Sequence, residues 1–162
     1  MLHKEILSLL NKQIWSENMA SYYYLKLSAL FSKNGYSGIS NFFLRQSNEE
    51  REHMLKLFKY ITEQCSEPTI PSYNYIEEEM ELEFDIIGAF EDSLFHEKEI
   101  TISINRIISK CIEIGDYRTK NFLTWFVEEQ MEEENKFNNL IEELKIISYN
   151  KNGLYMFNEK LK

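Results

Sequence analysis

The chain has 162 residues, 43% of them apolar and 14% aromatic, which is enough for one sizeable hydrophobic core and too much for a disordered segment. Five glycines and two prolines are too few for the turns of a many-stranded sandwich or barrel, and a formal charge of -9 lacks the basic footprint that nucleic acid requires. The same charge suits cations, and the two cysteines, with neither metal-ligand spacing nor disulfide-scaffold density, point to a reducing cytoplasm.

The amino-terminal stretch MLHKEILSLLNKQ is amphipathic with scattered charges, so neither a signal peptide nor a membrane-spanning segment is expected. It opens the first of four long segments whose seam residues recur at alternating spacings of three and four, the mark of a helix with one buried face. The first seam is Ile6, Leu10, Gln13, Glu17, Ala20, Tyr24, Leu27 and Phe31, and NG at residues 34 and 35 supplies a helix-ending glycine. The second runs through Ile39, Phe42, Gln46, Glu50, His53, Leu57, Tyr60 and Gln64. Pro68 and Pro71 then break the pattern, and the following stretch is long enough to run back along a helix. The third seam is Phe90, Leu94, Glu97, Thr101, Ile104, Ile108 and Cys111, with Gly88 near its start. IGD at residues 114 to 116 then provides a second helix-ending glycine, with Asp116 placed to cap the next helix. The fourth is Phe122, Phe126, Gln130, Glu133, Phe137, Leu140, Leu144 and Ile147. A partly apolar LYMFNEKLK after the NKNG break predicts a short fifth helix over about 154–162. The expected fold is therefore all-α: one domain over residues 1–162, with a four-helix bundle over about 4–148 and one long crossover between its second and third helices.

The two halves share a register. Glu17 to Glu50 is a step of 33 and Glu50 to His53 a step of 3; Glu97 to Gln130 and Gln130 to Glu133 repeat both. Glu17 and His53 lie 18 residues either side of Gly35, as Glu97 and Glu133 do of Gly115. At about 1.5 Å per residue, each group stands roughly 27 Å from its turn, so these six polar residues are predicted to meet in one layer. A lone Glu-x-x-His, or an acidic run such as EEQMEEE at 128 to 134, is ordinarily a solvated helix face. Four glutamates interrupting four separate seams are different, because clustered carboxylates repel one another and resist desolvation. Two divalent cations would neutralise them, with His53 adding a neutral nitrogen ligand. Such a donor set suits iron, with zinc and manganese as competitors, and Glu-x-x-His facing a bundle core is an established di-iron signature. Tyr24, two turns after Glu17, would cover the layer. Trp125 neighbours the seam, and His96 and His3 carry no metal-site signal.

These residues resemble the bacterial non-haem ferritins over essentially the whole chain. The likeness is carried by Glu17 and Tyr24, EEREH from Glu49 to His53, HE at His96 and Glu97, WFVEEQMEEE from Trp125 to Glu134, and the closing GLYMF. It implies a ferritin-like bundle and a cage of 24 identical subunits, in which each subunit oxidises ferrous iron with dioxygen or peroxide and stores ferric oxide-hydroxide inside. It further implies that Glu17, Glu50 and His53 hold one iron and Glu50, Glu97 and Glu133 a second, with Gln130 beside them. A third, weaker position falls on Glu49, Glu129 and Glu132, shared with Glu133, and Tyr24 becomes a candidate source of an additional electron. Haem is not expected: Arg51 and Glu133 stand where the related bacterioferritins carry a haem-ligating methionine and a histidine. The paired CxxC motifs of rubrerythrins and the histidine-rich pattern of DNA-coating mini-ferritins are also missing. Two other readings stay open from sequence: a cage subunit that nucleates mineral without oxidising iron, and a di-iron peroxidase on the same fold.

Overall fold

A computed structural model describes residues 1–70 and 82–162. Five helices follow in chain order: α1 (Lys4–Lys33), α2 (Ser37–Glu63), α3 (Ile86–Ile114), α4 (Tyr117–Ile147) and α5 (Lys151–Lys160). Both expected turns form where glycine permits a left-handed backbone, Gly35 at φ +84° and Gly115 at φ +80°. Asp116 caps α4 as expected, accepting from Thr119 N at 3.0 Å and from the Thr119 hydroxyl at 2.6 Å. That hydroxyl also shares a proton with Tyr60 on α2, 2.9 Å away, so the cap of one hairpin is tied to the other.

Pairing across helices fixes the topology. Ser21 meets Ser47 and Ser28 meets Ser40, so α1 and α2 are antiparallel. Gln13 meets Ser103 and Tyr24 meets Glu97, making α1 and α3 antiparallel; Gln46 meets Glu133 and Tyr60 meets Thr119, doing the same for α2 and α4. Hence α2 and α3 run parallel, as in a ferritin-like four-helix bundle. Pro71 and the next ten residues, on which the expected long crossover falls, lie outside the described residues.

Antiparallel hairpins also refine one expectation. Equal distances from Gly35 and Gly115 are measured from opposite ends of the bundle, so the polar residues of the two hairpins are offset along the axis within the layer they share. Glu97 is met by Tyr24, two turns beyond Glu17 on α1, and Glu133 by Gln46, one turn from Glu50 on α2. Both lie on the Gly35 side. The third seam holds at Phe90, Glu97, Ile104 and Cys111, which are buried as expected, and departs at the positions between them. Ser93, Ile100 and Ile107 are buried where Leu94, Thr101 and Ile108 were expected, and those three are only half-buried. α3 carries apolar residues on both sides of that line, so spacing alone allows either phase.

The polar level divides the core. Toward Gly35 an aromatic block of Tyr24, Phe31, Phe42, Phe43, Phe90 and Phe137 packs ring on ring, Phe43 against Phe90 at 5.1 Å and Tyr24 between Phe43 and Phe137 at 5.9 and 6.0 Å. Toward Gly115 the filling is mainly aliphatic: Ile6, Leu10, Ile14, Leu57, Ile61, Ile104 and Leu123. Each such side chain contributes about 1.5–3 kcal/mol by burial, which supports a polar layer that burial alone disfavours.

α5 begins at Lys151, before the expected residue 154, because Asn150 caps it by accepting from Asn152 N and Gly153 N. It docks on the start of α2, where Tyr36 supplies no side-chain cap. Asn158 Oδ1 takes over that role, accepting from Gly38 N at 2.9 Å and Ile39 N at 3.1 Å. The backbones approach so closely that a Cβ on Gly38 would lie 1.6 Å from the Asn158 carbonyl oxygen. Phe157 adds an edge contact to Phe90, and Arg45 donates to the Leu161 carbonyl at 2.7 Å.

Candidate metal centre

Three side chains converge on the α1–α2 side. Glu17, Glu50 and His53 are buried, and one ligand atom from each lies within 4.8 Å of the others. The helical repeat explains the convergence, since Glu50 and His53 are three residues apart on one face of α2 and α1 lies antiparallel beside it. Gln13 Nε2 donates to Glu17 Oε1 at 2.8 Å, leaving Glu17 Oε2 without a partner. Both Glu50 oxygens and His53 Nδ1 are likewise unpaired, and Nδ1 stands 3.5 Å from Glu50 Oε2. Among the described residues, Gln130 Oε1 is the one remaining buried side-chain nitrogen or oxygen with no partner. Buried polar atoms are nearly always satisfied, so orphans confined to one layer mark a place built for something else to bind.

The α3–α4 side is different. Glu97 accepts from Tyr24 through its Oε1 and from Gln130 Nε2 at 2.9 Å through its Oε2. Glu133 accepts from Gln46 Nε2 at 2.8 Å and from the Lys136 ammonium at 2.6 Å. Neither joins the close group of Glu17, Glu50 and His53.

Electrostatics follow this division. Burial, reinforced by the Glu50 charge, pushes the Glu17 carboxyl well above its usual range. Glu50 is pushed up by burial and then by the charge of Glu97. Glu97 rises to about 7: burial raises it, the Tyr24 and Gln130 hydrogen bonds pull it back, and Glu133 and Glu17 push it up again. A layer of this kind is costly when empty and gains most from a multivalent cation.

The flanking residues fall on the His53 side. Glu129, half-buried, brings Oε1 to 4.0 Å from His53 Nε2, and its carboxyl is raised by burial. Glu49 reaches Lys136 at 3.2 Å, while Glu132 is exposed. A cleft of about 490 Å³ lined by Glu49, Glu52, His53, Lys56, Trp125 and Glu129 opens here. Trp125 meets His53 edge-on at 5.4 Å and carries the Lys56 ammonium 3.5 Å over its ring. His96 packs on Tyr23 outside the layer, and His3 caps α1.

Sequence reasoning missed the roles of Gln13, Gln46 and Lys136. The two glutamines had a signal: each stands four residues before a layer glutamate, Glu17 or Glu50, on the same face. Lys136 had only its three-residue distance from Glu133, a spacing equally compatible with a surface pair.

Fold and layer together define a helical bundle with a buried carboxylate and imidazole site suited to metal ions. A family model described as a ferritin-like domain matches residues 7–147. The chain is 35% identical to a bacterial non-haem ferritin of Campylobacter jejuni, over 100% of this chain and 95% of that one. It is 33% identical to another from Staphylococcus epidermidis, with 99% and 95% covered. An open-pore ferritin from the archaeon Archaeoglobus fulgidus superposes with a TM-score of 0.93 at 29% identity, covering 99% of this chain and 98% of that one. The chain belongs to the ferritin family. Among the described residues no helix is long and apolar enough to cross a membrane.

Proposed function

We propose that the chain is an iron-storage ferritin subunit with ferroxidase activity. It takes ferrous iron as substrate at a two-ion site within its own bundle, and a cytoplasmic cage of 24 copies encloses the ferric product. The observation that carries this reading is the set of orphaned ligand atoms on Glu17, Glu50 and His53, buried at one level in a ferritin-family chain.

One ferrous ion is held by Glu17, Glu50 and His53, and a second by Glu50, Glu97 and Glu133, with Glu50 between them. Gln130 steadies Glu97 through its amide nitrogen, and its unpaired oxygen can accept from a bound water. Each ferrous ion gives up one electron, and dioxygen takes both with two protons, reaching the level of hydrogen peroxide. The carboxylates balance the charge that builds up as the ions become ferric. Tyr24, whose hydroxyl donates to Glu97, is the candidate source of one of the electrons that would carry peroxide on to water. Neither half of this chemistry needs haem.

Stopped-flow spectroscopy tests the reading. Ferrous iron is added in air at two ions per chain to the wild type and to Glu50→Ala and His53→Ala. Fast ferric formation in the wild type and its loss in both variants is expected. Equal rates in all three contradict the site, and no ferric formation in the wild type leaves a cage subunit without catalysis.

A further inference from the structure

Lys136 stands one helical turn after Glu133 on α4 and is held at the layer rather than released to solvent. Its ammonium donates to Glu133 Oε1 at 2.6 Å, to Gln46 Oε1 at 3.0 Å and to Glu49 Oε2 at 3.2 Å. Every ammonium proton therefore has an acceptor, drawn from two helices. Gln46 closes the arrangement into a ring, because its Nε2 donates to the other Glu133 oxygen at 2.8 Å while its Oε1 accepts from Lys136. The side chain is 33% exposed and Glu133 only 2%, so one end of this ion pair is within the core.

The ammonium joins Glu49 and Glu133, two of the four carboxylates on which family resemblance places a third iron position. The other two remain outside the ring, with Glu129 turned toward His53 and Glu132 exposed. A hard divalent cation needs several oxygen ligands, and an ammonium already occupies lone pairs on both shared ones. The two positive charges would also repel at close range in a partly desolvated setting. A tethered ammonium has a further advantage over a free ion, since it loses no translational freedom on binding.

We propose that Lys136 is a built-in cation occupying the place of a third metal ion between Glu49 and Glu133, so that each chain binds two metal ions rather than three. This inference rests on the two-ion reading above. It identifies a residue that sets metal stoichiometry, and it makes Glu133 a carboxylate shared between the second ion and a fixed positive charge.

The test is equilibrium zinc binding to the assembled, metal-stripped protein, by calorimetry with excess magnesium covering the surface carboxylates. Wild type and Lys136→Arg, which keeps the charge, are expected to bind two zinc ions per chain. Lys136→Met, which keeps the length and removes the charge, is expected to bind a third, lost again when Glu49→Gln is added. Lys136→Gln, retaining a donor for Glu133, makes the same comparison should the methionine variant fail to assemble. Three ions in the wild type, or two in each folded uncharged variant, would overturn the inference and leave the two-ion site standing. No zinc bound by the wild type would overturn the two-ion reading itself.

Discussion

The two hairpins bring the same residue type to the polar layer in opposite states. On the α1–α2 side Glu17, Glu50 and His53 turn unpaired atoms toward one another. On the α3–α4 side Glu97 and Glu133 are already satisfied, by Tyr24 and Gln130 in one case and by Gln46 and Lys136 in the other. A site of this kind is half prepared. On the proposed two-ion reading, a first ion would find vacant ligands and relieve an existing cost, whereas a second would compete with protein donors for its carboxylates. The expected consequence is ordered filling, with the α1–α2 position tighter.

Removing Glu50, which the proposal gives to both ions, has the largest expected effect. Because even outer partners of a metal ligand are worth 10–100-fold in affinity, Glu50→Ala should weaken zinc binding by at least about 100-fold in anaerobic calorimetry. The metal-free variant should melt higher than the wild type, since a buried carboxylate with no partner has been removed. Unchanged affinity would end the comparison between the two sides.

The pH dependence of the metal-free protein comes next. Glu97 holds its proton up to about pH 7 in the fold, against 4.5 ordinarily, so between those values the native state binds more protons than the unfolded chain. Stability is therefore full below the ordinary carboxylate range and falls as pH rises through about 7. The raised carboxyls of Glu97, Glu17 and Glu50 all act in this direction. Denaturant titrations of metal-free wild type and Glu97→Gln across this window should show a shallower slope in the variant. Equal slopes would mean that Glu97 is not protonated in the fold.

Tyr24→Phe sharpens the distinction further. It frees one Glu97 oxygen while leaving Glu17, Glu50 and His53 untouched, so calorimetry should find the first ion unchanged and the second altered by about 10-fold or less. A change confined to the first ion would reverse the assignment of the two sides. The smallest effect belongs to the joint of α5 with α2. Asn158→Ala should lower stability by about 1 kcal/mol through loss of the α2 cap, measured by thermal melting, with zinc affinity unchanged.

Much of this was legible in sequence because it depends on local rules. The 3-and-4 spacing revealed which faces are buried, Gly35 and Gly115 revealed the turns, and Asp116 revealed a cap three residues from its donor. Glu17, Glu50 and His53 stood out because charges in an apolar seam demand an explanation. What escaped notice depends on relations between helices. The stagger of the two halves follows from the hairpins running in opposite senses, which a count along each hairpin separately does not register. The ring of Gln46, Glu133 and Lys136 joins residues up to 90 positions apart, and no spacing rule links them. On α3 the line of Phe90, Glu97, Ile104 and Cys111 is buried as the spacing implies, but Ser93, Ile100 and Ile107 complete the face instead of Leu94, Thr101 and Ile108, because a 3-then-4 and a 4-then-3 step fit the same line and packing against α1 and α4 makes the choice.

The half-prepared layer is expected to take its first metal ion on the α1–α2 side. Crystals of the metal-stripped protein, loaded anaerobically with one ferrous ion per chain and measured at the iron absorption edge, test it directly. One anomalous peak per chain is expected among Glu17, Glu50 and His53, with Glu133 still bound to Lys136. A first peak between Glu97 and Glu133, or iron scattered over the surface with this triad empty, would contradict it.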